Sequence, residues 1–309
     1  MPTPLTRMPT RFLPVALLLL CACRGPGAAA GGDLSGTQLL GAGPDGAPRR
    51  VELAEAAERI LASDVAFLGE LHDNQAGHDF YAALAERVLE LAAEHDRPVS
   101  LSLEMFERDS QDLLDGYLAG RLTEEQFLAA ARPWPDYARH YRPLVEAFRR
   151  AGGAVIAANV PRRVAARIAR EGFESGRGSV FAAHGVDLRE GEYKRRFMET
   201  MSAMAGHGMA MSAASLERFY AAQVVKDDTM AESIAEHLAG APEGTLVLHA
   251  CGRFHSDYGL GTVERLTARR PDLEVLVFSM SPRADAVADL SGTPPTGDFV
   301  LSVPEPKAP

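Results

Sequence analysis

Apolar residues along this chain follow two alternating patterns. Five short runs, "VAFLG" (65–69), "VSLSLE" (99–104), "AVIAAN" (154–159), "TLVLHA" (245–250) and "EVLVFS" (274–279), are apolar at most positions, which marks strands buried on both faces. Between them, stretches near 76–95, 109–131, 141–151, 161–171, 213–239 and 261–270 repeat apolar residues at the spacing of amphipathic helices. The alternation predicts an α/β fold, a largely parallel β-sheet flanked by helices, with a helical insertion. This domain covers about 50–280, and no internal repeat is visible. From 281 to 309, "GTPPTG" and "PEPKAP" read as irregular tail, with "DFVLSV" as a candidate edge strand.

The first 49 residues follow neither pattern. Arg7 and Arg11 precede "FLPVALLLL", too short to cross a bilayer but suited to the core of a secretory signal. Leu20, Cys21, Ala22 and Cys23 resemble a bacterial lipobox, which makes 1–23 a lipoprotein signal peptide with Cys23 as the lipidated residue. Residues 24–49, with "GPGAAAGGD", then form a flexible tether. The protein is thus expected in the bacterial cell envelope, lipid-anchored to a membrane; the plainer alternative is a secreted protein cleaved elsewhere. After processing, Cys251 is the only internal cysteine, so an intramolecular disulfide is excluded. With 46% hydrophobic residues among 309, the chain has ample material for a core. Its net charge of -10 and pI near 5.4 argue against nucleic acid as a partner, because phosphate binding needs a basic surface.

Polar residues cluster where the predicted strands end. Glu70 and His72 follow the first, Glu104 closes the second, Asn159 the third, and His249 and His255 flank the end of the fourth. In a parallel sheet those ends share one edge, and ligands bind there. Gly69 to His72 and Gly252 to His255 repeat Gly-x-x-His: glycine permits a sharp turn and the imidazole points back over the edge. His72, His255, Glu70 and Glu104 are therefore candidate ligands for a divalent metal ion, or ordinary polar residues of a turn. "ARPWPDYARHYRPL" carries Trp134, Tyr137, His140 and Tyr141, either a packing lid or a grip on a flat apolar ligand with a phenolate for ferric iron. Arg162 and Arg163 open a helix and suit ligand carboxylates, or are simply solvated. Gln223 and Asp227 interrupt the apolar stripe of a long helix, which suggests a supporting or ligand-binding role. The methionines around His207 form an adaptable apolar wall, a Cu(I) site, or simply the end of a helix and its loop.

Six of these stretches, "FLGELHDN", "LEMFERD", "RPWPDYARHYRPL", "AANVPRRVA", "DDTMAESIA" and "CGRFHSDYGLGT", together resemble the ChaN-like haem-binding lipoproteins of the Tiki/TraB superfamily, from about residue 50 to 280. The resemblance implies membrane anchoring and a role in haem or iron uptake, with haem bound through tyrosine at the interface of a homodimer. Tyr141 is the first candidate ligand and Tyr137 the second, with Arg162, Gln223 and Asp227 as further haem-site residues. The related Tiki branch implies the alternative: a metal-dependent hydrolase in which His72, His255 and one glutamate hold the ion while the other, Glu70 or Glu104, activates water.

Overall fold

The computed structural model describes residue 34, residues 36–205 and residues 212–305. Cys23, His207, Met209 and Met211 lie outside the described residues. The five apolar runs form β3 (Val65–Glu70), β4 (Val99–Glu107), β5 (Val155–Asn159), β6 (Leu246–Gly252) and β7 (Val275–Pro282). Three more strands complete the sheet, β1 (Gln38–Ala42), β2 (Pro48–Arg50) and β8 (Phe299–Val303). Their order is β2-β1-β8-β7-β3-β6-β4-β5, parallel from β8 to β5, with β1 antiparallel to β8 and to β2.

Two expectations are corrected here. The stretch "DFVLSV" is no edge strand, because β8 lies between β7 and β1, with Phe299 stacked 4.6 Å from Phe278 of β7. The second half of the expected tether is also part of the sheet, since β1 and β2 fall within 38–50.

Helices cover both faces of the sheet. α1 (Leu53–Leu61), α2 (Gln75–Glu94), α3 (Gln111–Leu118), α4 (Glu124–Ala131), the single turn α5 (Tyr137–His140) and α6 (Arg142–Ala151) precede β5. The helix expected over 109–131 is thus two, broken where Gly120 takes φ 69° and restarted by the capping box of Thr123 and Gln126. α7 (Arg162–Glu171), α8 (Glu192–Ala205) and α9 (Ala213–Gly240) join β5 to β6, and α10 (Thr262–Arg269) and α11 (Ala286–Ser291) follow.

The period-two geometry of β3 shows why its run is apolar throughout. Ala66 and Leu68 pack with Phe80, Tyr81 and Leu84 of α2 on one face, while Val65 and Phe67 meet Met230 and Ile234 of α9 and Leu266 of α10 on the other. Each fully buried side chain of this kind contributes on the order of 1.5–3 kcal/mol.

The end of β3 is tightly bounded. A Cβ on Gly69 would stand 2.7 Å from Ser256 Oγ and 3.0 Å from the Phe278 carbonyl oxygen, and backbone cannot step aside. Gly69→Ala is therefore expected to destabilise the fold by about 1–3 kcal/mol, lowering the melting temperature by roughly 2–4 °C per kcal/mol. A calorimetric scan matching that of the parent would show that this contact is absent.

Candidate functional site

Sheet register builds the site. Glu70 lies opposite Gly252, and Leu103, just before Glu104, lies opposite Ala250. Because β6 runs between β3 and β4, the register brings both glutamates and the turn glycine to one level at the carboxyl edge, where the next residues turn over the sheet. Glu70, Glu104 and His255 are buried, and His72 remains half exposed.

Two carboxylate–imidazole units result. In the first, Glu70 Oε1 accepts from His72 Nδ1 at 2.6 Å and from the Tyr141 hydroxyl at 2.9 Å, while His78 Nδ1 lies 3.1 Å from Oε2. His78 stacks on His140 with centroids 4.2 Å apart, and Trp134 stands edge-on to His72 at 5.0 Å. In the second, Glu104 Oε2 accepts the Gly252 N–H at 2.8 Å and its Oε1 lies 3.2 Å from His255 Nε2. His255 Nδ1 donates to Asp227 Oδ1 at 2.6 Å, and Asp227 also accepts from Tyr193 (2.6 Å) and Thr262 (2.9 Å). The units touch through Gly252: a Cβ there would sit 2.8 Å from His72 Cε1. Gln223 joins the second unit, with Nε2 3.3 Å from the Tyr193 hydroxyl and within 3.4 Å of the His255 ring.

Electrostatics fix the protonation states. Burial pushes His255 down, but the carboxylates of Glu104 and Asp227 on either side overrule it and raise it to about 10. Burial likewise pushes Glu104 up, yet the charge and hydrogen bond of His255 hold it well below the usual carboxylate range. His72 follows the same pattern, with burial opposing and Glu70 raising it. Burial and the Glu70 charge push the Tyr141 phenol far above its ordinary value.

This arrangement revises several expected roles. Tyr141 is brought to the site as a buried donor to Glu70, so its oxygen is committed and protonated instead of presenting a phenolate to iron. Tyr137 is not brought there: its ring packs against Phe106 and Phe127, and its buried hydroxyl has no partner. Arg162 stands at the end of β5, 3.7 Å from Glu107 and largely exposed, beside Arg163, which pairs with Asp109. The expected metal set is not gathered as a preformed centre. Among the described residues, the only three-donor group with all ligand atoms within 4.8 Å is His184, Glu232 and Glu236, where Arg108 already pairs with both glutamates. Both His255 nitrogens face carboxylates, so an ion there would first have to displace a proton. As water-activating bases Glu70 and Glu104 are poorly placed, since hydrogen-bond donors occupy both and Glu104 is strongly acidic.

Two residues lie outside the expected set of site residues. His78 reaches Glu70 from the first turn of α2, signalled only by its place in "DNQAGH". Tyr258 is the other. Of the seven tyrosines, the other six are buried and Tyr258 alone is partly exposed. It takes φ 64° and ψ 15°, a strained conformation for a side-chain-bearing residue, between the buried Asp257 and Gly259. It lines a cavity of about 210 Å³ with Tyr193, Arg196, Phe254 and Leu260. Met198 and Met201 of α8 pack against the aromatic cluster behind it. The signal was the phenol in "DYGLG" directly after the second Gly-x-x-His.

A family model described as "Haem-binding uptake, Tiki superfamily, ChaN" matches residues 56–266, more than half of the chain. The chain belongs to the ChaN family. A solved structure of Campylobacter jejuni ChaN, described as cofacial heme binding, superposes on this ChaN-family chain with a TM-score of 0.66 at 16% identity, covering 87% of this chain and 97% of that one; the likeness is one of fold. A curated relative, the chloroplastic protein RETICULATA-RELATED 5 of Arabidopsis thaliana, is 27% identical over 261 residues, 79% of this chain. The chain spans about a third of that protein's length (34%).

The imidazolium between two buried carboxylates makes the stability of this ChaN-family domain depend on pH. With His255 raised, its stabilisation is full below the ordinary 6.5 and is lost as pH rises toward about 10; with Glu104 lowered, its contribution is full above about 4.5 and lost on acidification. His255→Gln is expected to cost about 3–5 kcal/mol near pH 6, where it strands two buried carboxylates, and less near pH 10. Melting temperatures of parent and variant that fall in parallel across that range would contradict an ionised His255.

Proposed function

We propose that this chain binds haem non-covalently as ferric cargo, ligated by Tyr258, on a domain tethered to the bacterial cell envelope for haem or iron uptake. Family membership supports the ligand class. The observation that carries the residue assignment is the exposure of the seven tyrosines, of which Tyr258 alone is not a buried residue. The chain has no Cys-x-x-Cys-His motif, so haem is held without thioether bonds and depends on an axial ligand and an apolar wall. Phe254, Leu260, Tyr193 and the α8 methionines supply that wall.

A cavity of about 210 Å³ is smaller than the roughly 300–1,000 Å³ of sites that enclose a small molecule. A porphyrin seated there leaves much of its surface uncovered, and a second copy of the chain is the proposed cover. Haemin titration of the parent, Tyr258→Phe and Tyr141→Phe, with thermal melts as the folding control, tests the reading. Tyr258→Phe should weaken binding about tenfold or more and lose the phenolate-to-iron charge-transfer band. Tyr141→Phe should keep binding but melt lower, because Glu70 loses a donor. Light scattering on the loaded parent should show a doubled mass. Absence of saturable haemin binding in the parent would end the proposal.

Anchoring rests on Leu20, Cys21, Ala22 and Cys23 behind the apolar run. Cys23→Ala expressed in a bacterial host should lose lipid labelling and persist as precursor. Normal processing and membrane retention of that variant would refute lipidation at Cys23.

A further inference from the structure

Arg196 leaves α8 and lays its guanidinium over the Tyr258 ring, with Cζ 3.5 Å from the ring centroid. The other cation–ring pairs described, such as Arg265 over Tyr193 and Arg149 over Tyr117, lie at 5.2–5.6 Å. The contact is therefore at van der Waals range, where attraction between a cation and the ring face is strongest. Arg196 Nε is buried and makes no aligned hydrogen bond, and it forms an ion pair with Glu192 Oε1 at 2.7 Å, a carboxylate shared with Arg195. The other charged residues lining the cavity are acidic and already ion-paired, Glu199 with Arg195 at 2.6 Å and Asp257 with Arg253. Asp257 is occupied by Arg253 Nε and Ser279 Oγ, both at 2.6 Å.

We infer that Arg196 is a positioning residue for iron ligation, a fixed positive charge that offsets the negative charge the Tyr258 oxygen carries when it binds ferric haem. This inference rests on the proposed function and adds to it the chemical preference of the site. On binding, the Tyr258 O–H bond breaks, the proton leaves to solvent, and a bond forms from the phenolate oxygen to iron, which stays ferric. Arg195 and Arg253 are already engaged by Glu199 and Asp257, so Arg196 is the guanidinium laid on the ring whose oxygen becomes anionic. With Arg196 against the ring, the ligated state is neutralised where its charge develops, and no movement is needed to bring the cation there. The backbone strain at Tyr258 fits this purpose, since the left-handed turn aims the ring under α8.

The site should then favour ferric over ferrous haem and should take a porphyrin whether or not its propionates are free. The test is titration of the parent, Arg196→Gln, Arg196→Lys, Tyr258→Phe and the Arg196→Gln/Tyr258→Phe double variant. Each is titrated with haemin and with haemin dimethyl ester, and the charge-transfer band is followed as pH is lowered. Arg196→Gln should bind both porphyrins about tenfold more weakly and lose the band at a higher pH than the parent. Arg196→Lys should recover most of that loss, and the double variant should be no weaker than Tyr258→Phe alone. Loss confined to free-acid haemin would overturn the inference by making Arg196 a propionate partner, and so would an Arg196→Gln protein indistinguishable from the parent while Tyr258→Phe is defective. If Tyr258→Phe itself binds like the parent, the underlying reading falls and this inference with it.

Discussion

A buried imidazolium between two buried carboxylates is the constraint around which the carboxyl edge of the sheet is built. Glu104 comes from β4, His255 from the turn after β6 and Asp227 from the middle of α9, and none of the three has access to water that could solvate its charge. Charges removed from solvent are tolerated only when geometry and further hydrogen bonds are nearly complete. Here the Gly252 N–H, Tyr193 and Thr262 complete them. Fixing His255 fixes the loop behind it, and that loop carries Asp257 and Tyr258. The polar cluster and the proposed haem ligand are thus parts of one rigid turn, with Tyr193 contributing its hydroxyl to the one and its ring to the wall of the other.

Much of the fold was legible because buried strands announce themselves as apolar runs. Val65 to Leu68, Val99 to Leu103 and Leu246 to Ala250 could hardly be anything else once their glycines and polar ends were counted. Sheet order is a different matter. That β8 lies inside and β2 at the edge follows from which strands pair across the whole chain, and nothing local to "DFVLSV" distinguishes the two. The short strands β1 and β2, bordered by glycines and carrying Pro48, Arg49 and Arg50, read as tether for the same reason.

The site was legible to the extent that it depends on the strand-end rule. Glu70, His72, Glu104 and His255 meet because parallel strands end together. Gln223 and Asp227 join them because polar residues on a core-facing helix stripe must find partners. Burial was not legible, and it sorts the tyrosines differently from their prominence in the sequence. Tyr141 sits in a conspicuous aromatic stretch but donates inward to Glu70, while Tyr258, in an inconspicuous "DYGLG", stays partly exposed on a positive-φ turn that composition does not reveal. Arg196 was invisible for a related reason, because α8 and the turn after β6 are some 60 residues apart in sequence and meet only in the folded chain.

The central claim is that haem iron meets the chain at Tyr258, outside the carboxylate–imidazole cluster. A crystal structure of the protein loaded with haemin tests it most directly. If Tyr258 is the ligand, the iron lies within bonding distance of its oxygen, Arg196 stays over the ring, and Tyr141 still donates to Glu70. Iron bound instead to Tyr141, His72 or His255, with the Glu70 or Glu104 hydrogen bonds broken to admit it, would contradict the assignment.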